Sequence, residues 1–206
     1  MNPYPQPVTV LLADDEQLIR SALAALLPLK GDITVVAEAA DGREAVRLTR
    51  ERPPDVVVMD LDMPVMDGLQ AAMTIHDDNP DQIIILLTRH AKPGVLRRAL
   101  KAGVLGFLSK AADPQLIADV IHTVARRQRW IDPGIAALAM TDDCPLTERE
   151  LDVLRETTEG YAVTEIARRL YLAHGTVRNY LSNAMQKTQT TTRHEAARYA
   201  REHDWL

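Results

Sequence analysis

"DVVVMDLDMPVMDG", residues 55–68, is the stretch on which the fold turns. Four consecutive apolar residues, Val56 to Met59, run without polar alternation. Such a run suits a strand buried on both faces of a parallel sheet. It ends on Asp60 and passes at once into Asp62, Pro64, Asp67 and Gly68. In a doubly wound sheet, ligands gather at the carboxyl ends of the strands. An acidic cluster at a strand end is therefore a candidate site. Three chemistries fit it. Asp60 and Asp62 can be the D-x-D of a hydrolase that forms an aspartyl-phosphate. They can be plain ligands of a hard cation. Or Asp60 can accept a phosphoryl group that switches something else in the chain.

Outward from this stretch the same pattern repeats. β-branched runs occur at "VTVLLA" (8–13), "ITVVAEA" (33–39), "IIILLT" (83–88) and "GVLGFLS" (103–109), and helical spacing of apolar residues follows each. Five strand–helix repeats predict an α/β domain, a doubly wound, flavodoxin-like (βα)5 fold over residues 1–127. "RRQRWIDPGIAALAMTDD" (126–143) breaks the rhythm with the turn signal Asp132-Pro133-Gly134, and residues 128–143 are expected to be a linker with one short helix. No strand pattern returns after it. Residues 144–206 predict a small all-α four-helix domain. Thr147-x-x-Glu150 and Thr192-x-x-Glu195 fit the capping box and mark two helix starts.

The composition sets the class. Of 206 residues, 46% are hydrophobic and 26% charged, as a folded water-borne protein requires. The apolar runs are too short to span a bilayer, so no membrane insertion is expected. "MNPYPQPVTV" lacks the basic patch and long apolar core of a secretory signal. Cys144 is the only cysteine, which rules out an internal disulfide. A cytoplasmic location follows as the expectation. Residues 145–206 carry nine basic and nine acidic side chains, so the net charge of −5 belongs to the rest of the chain. The helical part is then the better candidate to meet a polyanion, although charge alone does not prove it.

The strand ends collect the chemistry. Asp14 and Asp15 follow the first strand, Asp60 ends the third, Thr88 the fourth, and Lys110 follows the fifth. The predicted fold brings all five to one sheet edge. Clustered carboxylates repel one another unless a cation is present, and hard oxygen ligands with open positions suit Mg2+. A carboxylate beside Mg2+ can attack a phosphoryl group while the metal neutralises developing charge. A Thr hydroxyl and a Lys ammonium can hold the phosphoryl oxygens. The hydrolase reading has a difficulty: its D-x-D follows the first strand and comes with large cap insertions, and neither is present.

"LLADDE", "VVVMDLDMPVMDG", "IILLT" and "KAGVLGFLSK" together resemble the receiver domain of bacterial two-component response regulators. That resemblance implies an acidic metal pair at Asp14 and Asp15, a phosphoacceptor at Asp60 and a metal-binding main-chain carbonyl at Asp62. It also implies a switch hydroxyl at Thr88, a switch aromatic at Phe107 and a phosphate-binding lysine at Lys110. One departure stands out. The residue after Thr88 is usually small in the family, and here it is Arg89. It can hinder a phosphodonor, pair with the phosphoryl group, or do neither. Asp62 and His90 fill the two variable positions that the family uses to tune dephosphorylation.

"LTERE", "EIARRL", "GTVRNYLS" and "EAARYAREHDWL" resemble the helix-turn-helix of the NarL/LuxR-type regulators. Ile166, Ala167 and Leu170 are expected to pack against Val177 and Leu181. The opposite face of 175–187 offers Arg178, Asn179, Ser182 and Gln186 to base edges, where Arg reads guanine and Asn reads adenine. Thr176, Tyr180 and Lys187 are expected to contact phosphates. Ala162 and Ala173 stand where the family often has a capping Ser, and Gln189 stands where many relatives have Gly.

The implied function is a DNA-binding response regulator, not an enzyme. A sensor histidine kinase phosphorylates Asp60 with Mg2+, the receiver becomes a homodimer, and the paired helix-turn-helix domains bind double-stranded DNA at an operator with two half-sites. The alternatives are a phosphorylation-independent DNA-binding dimer and an aspartyl-phosphate hydrolase. Apolar excess on the first and fifth receiver helices, at Leu18, Leu27, Leu116, Ile117, Val120 and Ile121, is expected to form the dimer interface.

Overall fold

The computed structural model describes residues 7–89, 93–140, 144–203 and 205–206. The chain divides into two compact units, residues 1–140 and 141–206. The first unit alternates strand and helix: β1 (Val8–Ala13), α1 (Gln17–Lys30), β2 (Ile33–Ala39), α2 (Gly42–Glu51), β3 (Val56–Asp60), α3 (Gly68–Asp78), β4 (Ile83–Thr88), α4 (Pro93–Lys101), β5 (Gly106–Ser109), α5 (Pro114–Ala125), β6 (Trp130–Ile131) and α6 (Pro133–Met140). All neighbouring strands pair in parallel, in the order β2-β1-β3-β4-β5-β6.

The two faces of the sheet account for the unbroken apolar runs. Val10, Leu12, Val56, Val58, Ile85 and Leu87 face one layer, where Leu23 and Leu27 of α1 and Ile117, Val120, Ile121 and Val124 of α5 pack. Leu11, Val57, Met59, Ile84 and Leu86 face the other, against Ala45 and Val46 of α2, Leu69, Ala72 and Ile75 of α3, and Leu96 and Ala99 of α4. With both faces covered, the central strands β3 and β4 stay apolar until their last residue, whereas β1 carries the half-buried Thr9 and the edge strand β2 the exposed Thr34 and Glu38.

The segment expected to be a linker is largely part of this unit. Trp130 and Ile131 extend the sheet beside β5, with Trp130 N–H donating to Leu105 O at 2.9 Å. Ile135 of α6 is buried in the core on the α4 side. Arg127, at φ 63°, turns the chain back toward the sheet edge. Two residues are too few for a periodic strand signal, and so sequence periodicity misses the sixth strand.

The helix faces correct the expected dimer patch. Leu27, Ile117, Val120 and Ile121 are each at most 1% exposed and belong to the intramolecular core, whereas Leu18 is 83% exposed, Leu29 77% and Leu116 36%. Counting apolar residues around a helix does not set its phase. The sheet takes the broad stripe, and only the leucines at its margin remain outside.

The second unit holds α7 (Glu148–Thr158), α8 (Val163–Arg169), α9 (His174–Lys187) and α10 (Arg193–Glu202). Both capping boxes form as the sequence predicts, Thr147 with Glu150 and Thr192 with Glu195. Ile166, Ala167, Val177 and Leu181 are buried together, with Leu170 partly buried against them. Ala162 and Ala173 occupy N-caps and supply no side-chain bond. Gln189 adopts φ 54°, the left-handed conformation that a glycine takes without strain.

Candidate functional site: an acidic pocket and a recognition helix

The stretch 55–68 resolves into parts with separate tasks. Asp60 ends β3 and is buried. Asp62 is exposed. Asp67 is the N-cap of α3, accepting from Gln70 N–H at 2.7 Å. Gly68 packs so close to the strand end that a Cβ there would sit 2.2 Å from Asp60 O. Its N–H donates to Leu61 O at 2.9 Å, which locks the turn beneath the pocket. Of the three aspartates in this turn region, only Asp60 thus faces a buried site.

The other strand ends converge on it. The carboxylates of Asp14, Asp15 and Asp60 offer ligand atoms all within 4.8 Å of one another. Asp14 is buried and Asp15 exposed, so the group opens to solvent on one side. Lys110 is carried to the same edge by β5, and its N–H donates to Thr88 O at 2.7 Å. Its ammonium contacts Asp14 Oδ2 at 2.9 Å, Glu16 Oε1 at 2.8 Å and Asp60 Oδ2 at 2.9 Å, with the Lys110 side chain only 3% exposed. Thr88 and Phe107 are 1% exposed, Thr88 at the end of β4 and Phe107 inside β5.

The electrostatics follow from this crowding. Burial pushes the Asp60 carboxyl up from its ordinary value, and Lys110 only partly offsets the push. Burial opposes the charge on Lys110, but its bonds to Glu16, Asp60 and Asp14 outweigh that and hold the ammonium firmly protonated. Arg89 and Lys110 hold Glu16 down at about 2. Four carboxylates (Asp14, Asp15, Glu16 and Asp60) face two cations, leaving a surplus of two negative charges. Asp14 Oδ2 is buried and accepts no hydrogen bond of good geometry. A buried carboxylate oxygen that contacts an ammonium at 2.9 Å without good hydrogen-bond geometry, among further hard ligands, fits a divalent cation.

One pocket residue was not legible as such, nor was the partner of another. Glu16, the third acid of "DDE", reaches Lys110 while staying partly exposed. Arg89, whose role the sequence left open, pairs with that same Glu16 oxygen. His90 lies outside the described residues.

On α9, Arg178, Asn179, Ser182 and Gln186 are exposed, and Thr176 and Tyr180 are partly buried. Val177 and Leu181 anchor the opposite face, so the expected recognition surface is presented outward. Lys187, expected to contact a phosphate, also makes an ion pair within the unit. Its ammonium donates to the buried Glu150 at 2.8 Å, and Glu150 is 3% exposed. Burial raises the Glu150 carboxyl, but Lys187 and the Thr147 donors outweigh it and hold the group below its ordinary value. The pair ties the end of α9 to the start of α7.

The comparisons with known proteins agree with this geometry. The response regulator receiver domain family matches residues 10–122, and the bacterial regulatory proteins of the luxR family match residues 144–200. The chain therefore belongs to the LuxR-type response regulators. The transcriptional regulatory protein DesR of Bacillus subtilis (strain 168) is 37% identical over 97% of this chain and 99% of its own length. The response regulator protein VraR of Staphylococcus aureus is 32% identical, over 97% of this chain and 99% of its own. Among solved structures, a LuxR-family two-component response regulator from Aurantimonas sp. SI85-9A1 is 32% identical with a TM-score of 0.62, covering 66% of this chain and 96% of that one. The RcsB–DNA complex shares the fold at 24% identity and a TM-score of 0.66, covering 95% of this chain and 98% of that one. Among the described residues no helix is long and apolar enough to cross a membrane.

Proposed function

We propose that this chain is a cytoplasmic transcription factor of a two-component system, switched by phosphoryl transfer to Asp60 from a sensor histidine kinase. One observation carries the reading. A buried carboxylate at a strand end is held by a buried lysine beside two further carboxylates, in a chain that also bears a luxR-type DNA-binding unit. Asp14, Asp15 and Asp60, with the Asp62 carbonyl, would hold Mg2+, which supplies charge neutralisation during transfer.

The chain's own residues do the rest. An Asp60 carboxylate oxygen forms the new bond to phosphorus as the donor's bond to phosphorus breaks. Lys110 is already in place to donate hydrogen bonds to the phosphoryl oxygens. The buried Thr88 hydroxyl and Phe107 ring lie next along the sheet edge and would carry the change to the β4–β5 surface. Dimerisation would then pair two recognition helices over two half-sites of double-stranded DNA. Among the described residues of the receiver, Leu18, Leu29 and Leu116 are exposed and would be available to a partner surface.

Acetyl phosphate labelling tests the assignment. Mg2+-dependent incorporation that saturates near one phosphoryl group per chain, with no turnover of other phosphate esters, is expected. Asp60→Asn should abolish it, because an amide does not form the acyl phosphate. Label undiminished in Asp60→Asn would remove Asp60 from the role. Multiple turnover of phosphate esters would make the chain a hydrolase.

A further inference from the structure

The sheet order places β1 and β4 on the two sides of β3. Glu16 stands three residues past β1, and Arg89 directly follows β4. An ion pair joins them. It therefore spans the carboxyl end of β3, where Asp60 sits. The same Glu16 oxygen that Arg89 holds also accepts from Lys110 at 2.8 Å, and Lys110 donates to Asp60 at 2.9 Å. Asp60, Lys110, Glu16 and Arg89 thus form one continuous polar chain from the acceptor to the solvent.

We propose that Glu16 and Arg89 are specificity-determining residues for phosphoryl transfer: their ion pair is a latch over Asp60 that restrains free small-molecule phosphodonors and favours a donor delivered by a docked protein. The inference rests on the reading of Asp60 as phosphoacceptor. The pair is half-exposed, with side chains 53% and 39% accessible, so it is weak and reversible. A free donor must displace it with no other contact to help. A donor group held by a docked protein reaches the latch at high effective concentration and displaces it with little penalty. The guanidinium is also wide and planar, so it screens part of the opening.

The sign of two single substitutions decides between a latch and a simple field effect. If Arg89 merely attracts anionic donors, Arg89→Ala slows labelling by acetyl phosphate while Glu16→Ala speeds it. If the pair is a latch, both variants label faster than the unaltered chain, by about two- to fivefold. The charge-swapped double variant Glu16→Arg/Arg89→Glu then returns to the slow rate. The full chain is used throughout, with phosphoramidate as a second donor and thermal unfolding midpoints to show that both variants fold. Opposite signs, or no change in either variant, overturn the latch while leaving Asp60 as acceptor. Absence of Asp60-dependent labelling in the unaltered chain overturns both readings together.

Discussion

Two lysines, Lys110 and Lys187, do the same thing in the two halves of the molecule and mean different things by it. Each reaches a carboxylate that is nearly fully buried: Lys110 reaches Asp60 at 2.9 Å, and Lys187 reaches Glu150 at 2.8 Å. Around Lys187 the account closes. One cation meets one carboxylate, and the Thr147 N–H donates to the same Glu150 oxygen at 2.7 Å. Around Lys110 it does not close. Three carboxylates share one ammonium, and a buried oxygen of Asp14 still lacks a well-formed hydrogen bond. A balanced buried pair ties elements together. An unbalanced one is poised for a further cation or an incoming group. The lesson is that charge surplus, and not burial of an ion pair, marks the functional site.

Removing each lysine should break the comparison most sharply. Lys110→Ala leaves clustered buried carboxylates without a partner and is expected to lower receiver stability by about 3–5 kcal/mol in the absence of divalent cations. Added Mg2+ should recover much of that loss, measured by chemical denaturation. Lys187→Ala is expected to cost the helical unit about 1–3 kcal/mol, since Glu150 stays buried and unpaired. Mg2+ should not restore it. Recovery by Mg2+ in both variants, or in neither, would dissolve the distinction.

A smaller effect separates holding the recognition helix from using it. Arg178→Ala, on the exposed face of α9, should leave the unfolding midpoint in place. It should weaken binding to a specific operator by about 1–3 kcal/mol if the arginine reads a base. Lys187→Ala should weaken binding to every sequence alike, because it loosens the whole helix. Equal loss across sequences for Arg178→Ala would reduce that side chain to a phosphate contact.

The helical unit should also be open to improvement at its caps. Ala173→Ser supplies the side-chain acceptor missing at the start of α9 and is expected to stabilise by about 0.5–2 kcal/mol. A thermal melt that does not rise would mean that the α9 amides already find other partners.

The smallest effect is in pH. The Glu150 carboxyl is held below its ordinary value of 4.5 in the folded unit. A depressed folded value contributes stability that is present above 4.5 and lost as pH falls below it. The melting midpoint of the helical unit should therefore decline on acidification through that range. Glu150→Gln keeps a side-chain acceptor at the capping-box position and should flatten the decline. An unchanged slope would place the acid sensitivity elsewhere.

Sequence by itself determined the strand–helix alternation, because a strand covered on both faces must be apolar throughout and a helix on a sheet must be apolar at its own period. It also pointed to one sheet edge as the place where Asp14, Asp15, Asp60 and Lys110 meet, since chemistry in this architecture collects where strands end. The capping boxes at Thr147 and Thr192 were legible because their bonds are local. Tertiary structure alone decided which apolar helix residues face inward, turning Leu27, Ile117, Val120 and Ile121 into core while leaving Leu18 outside. It alone drew Glu16 and Arg89 together across β3, joined Lys187 to Glu150, and added β6 to the sheet. The physical reason is one of range. Periodicity and capping are written within a few residues, whereas partners 73 or 37 positions apart meet only when the packed sheet and helices bring them together.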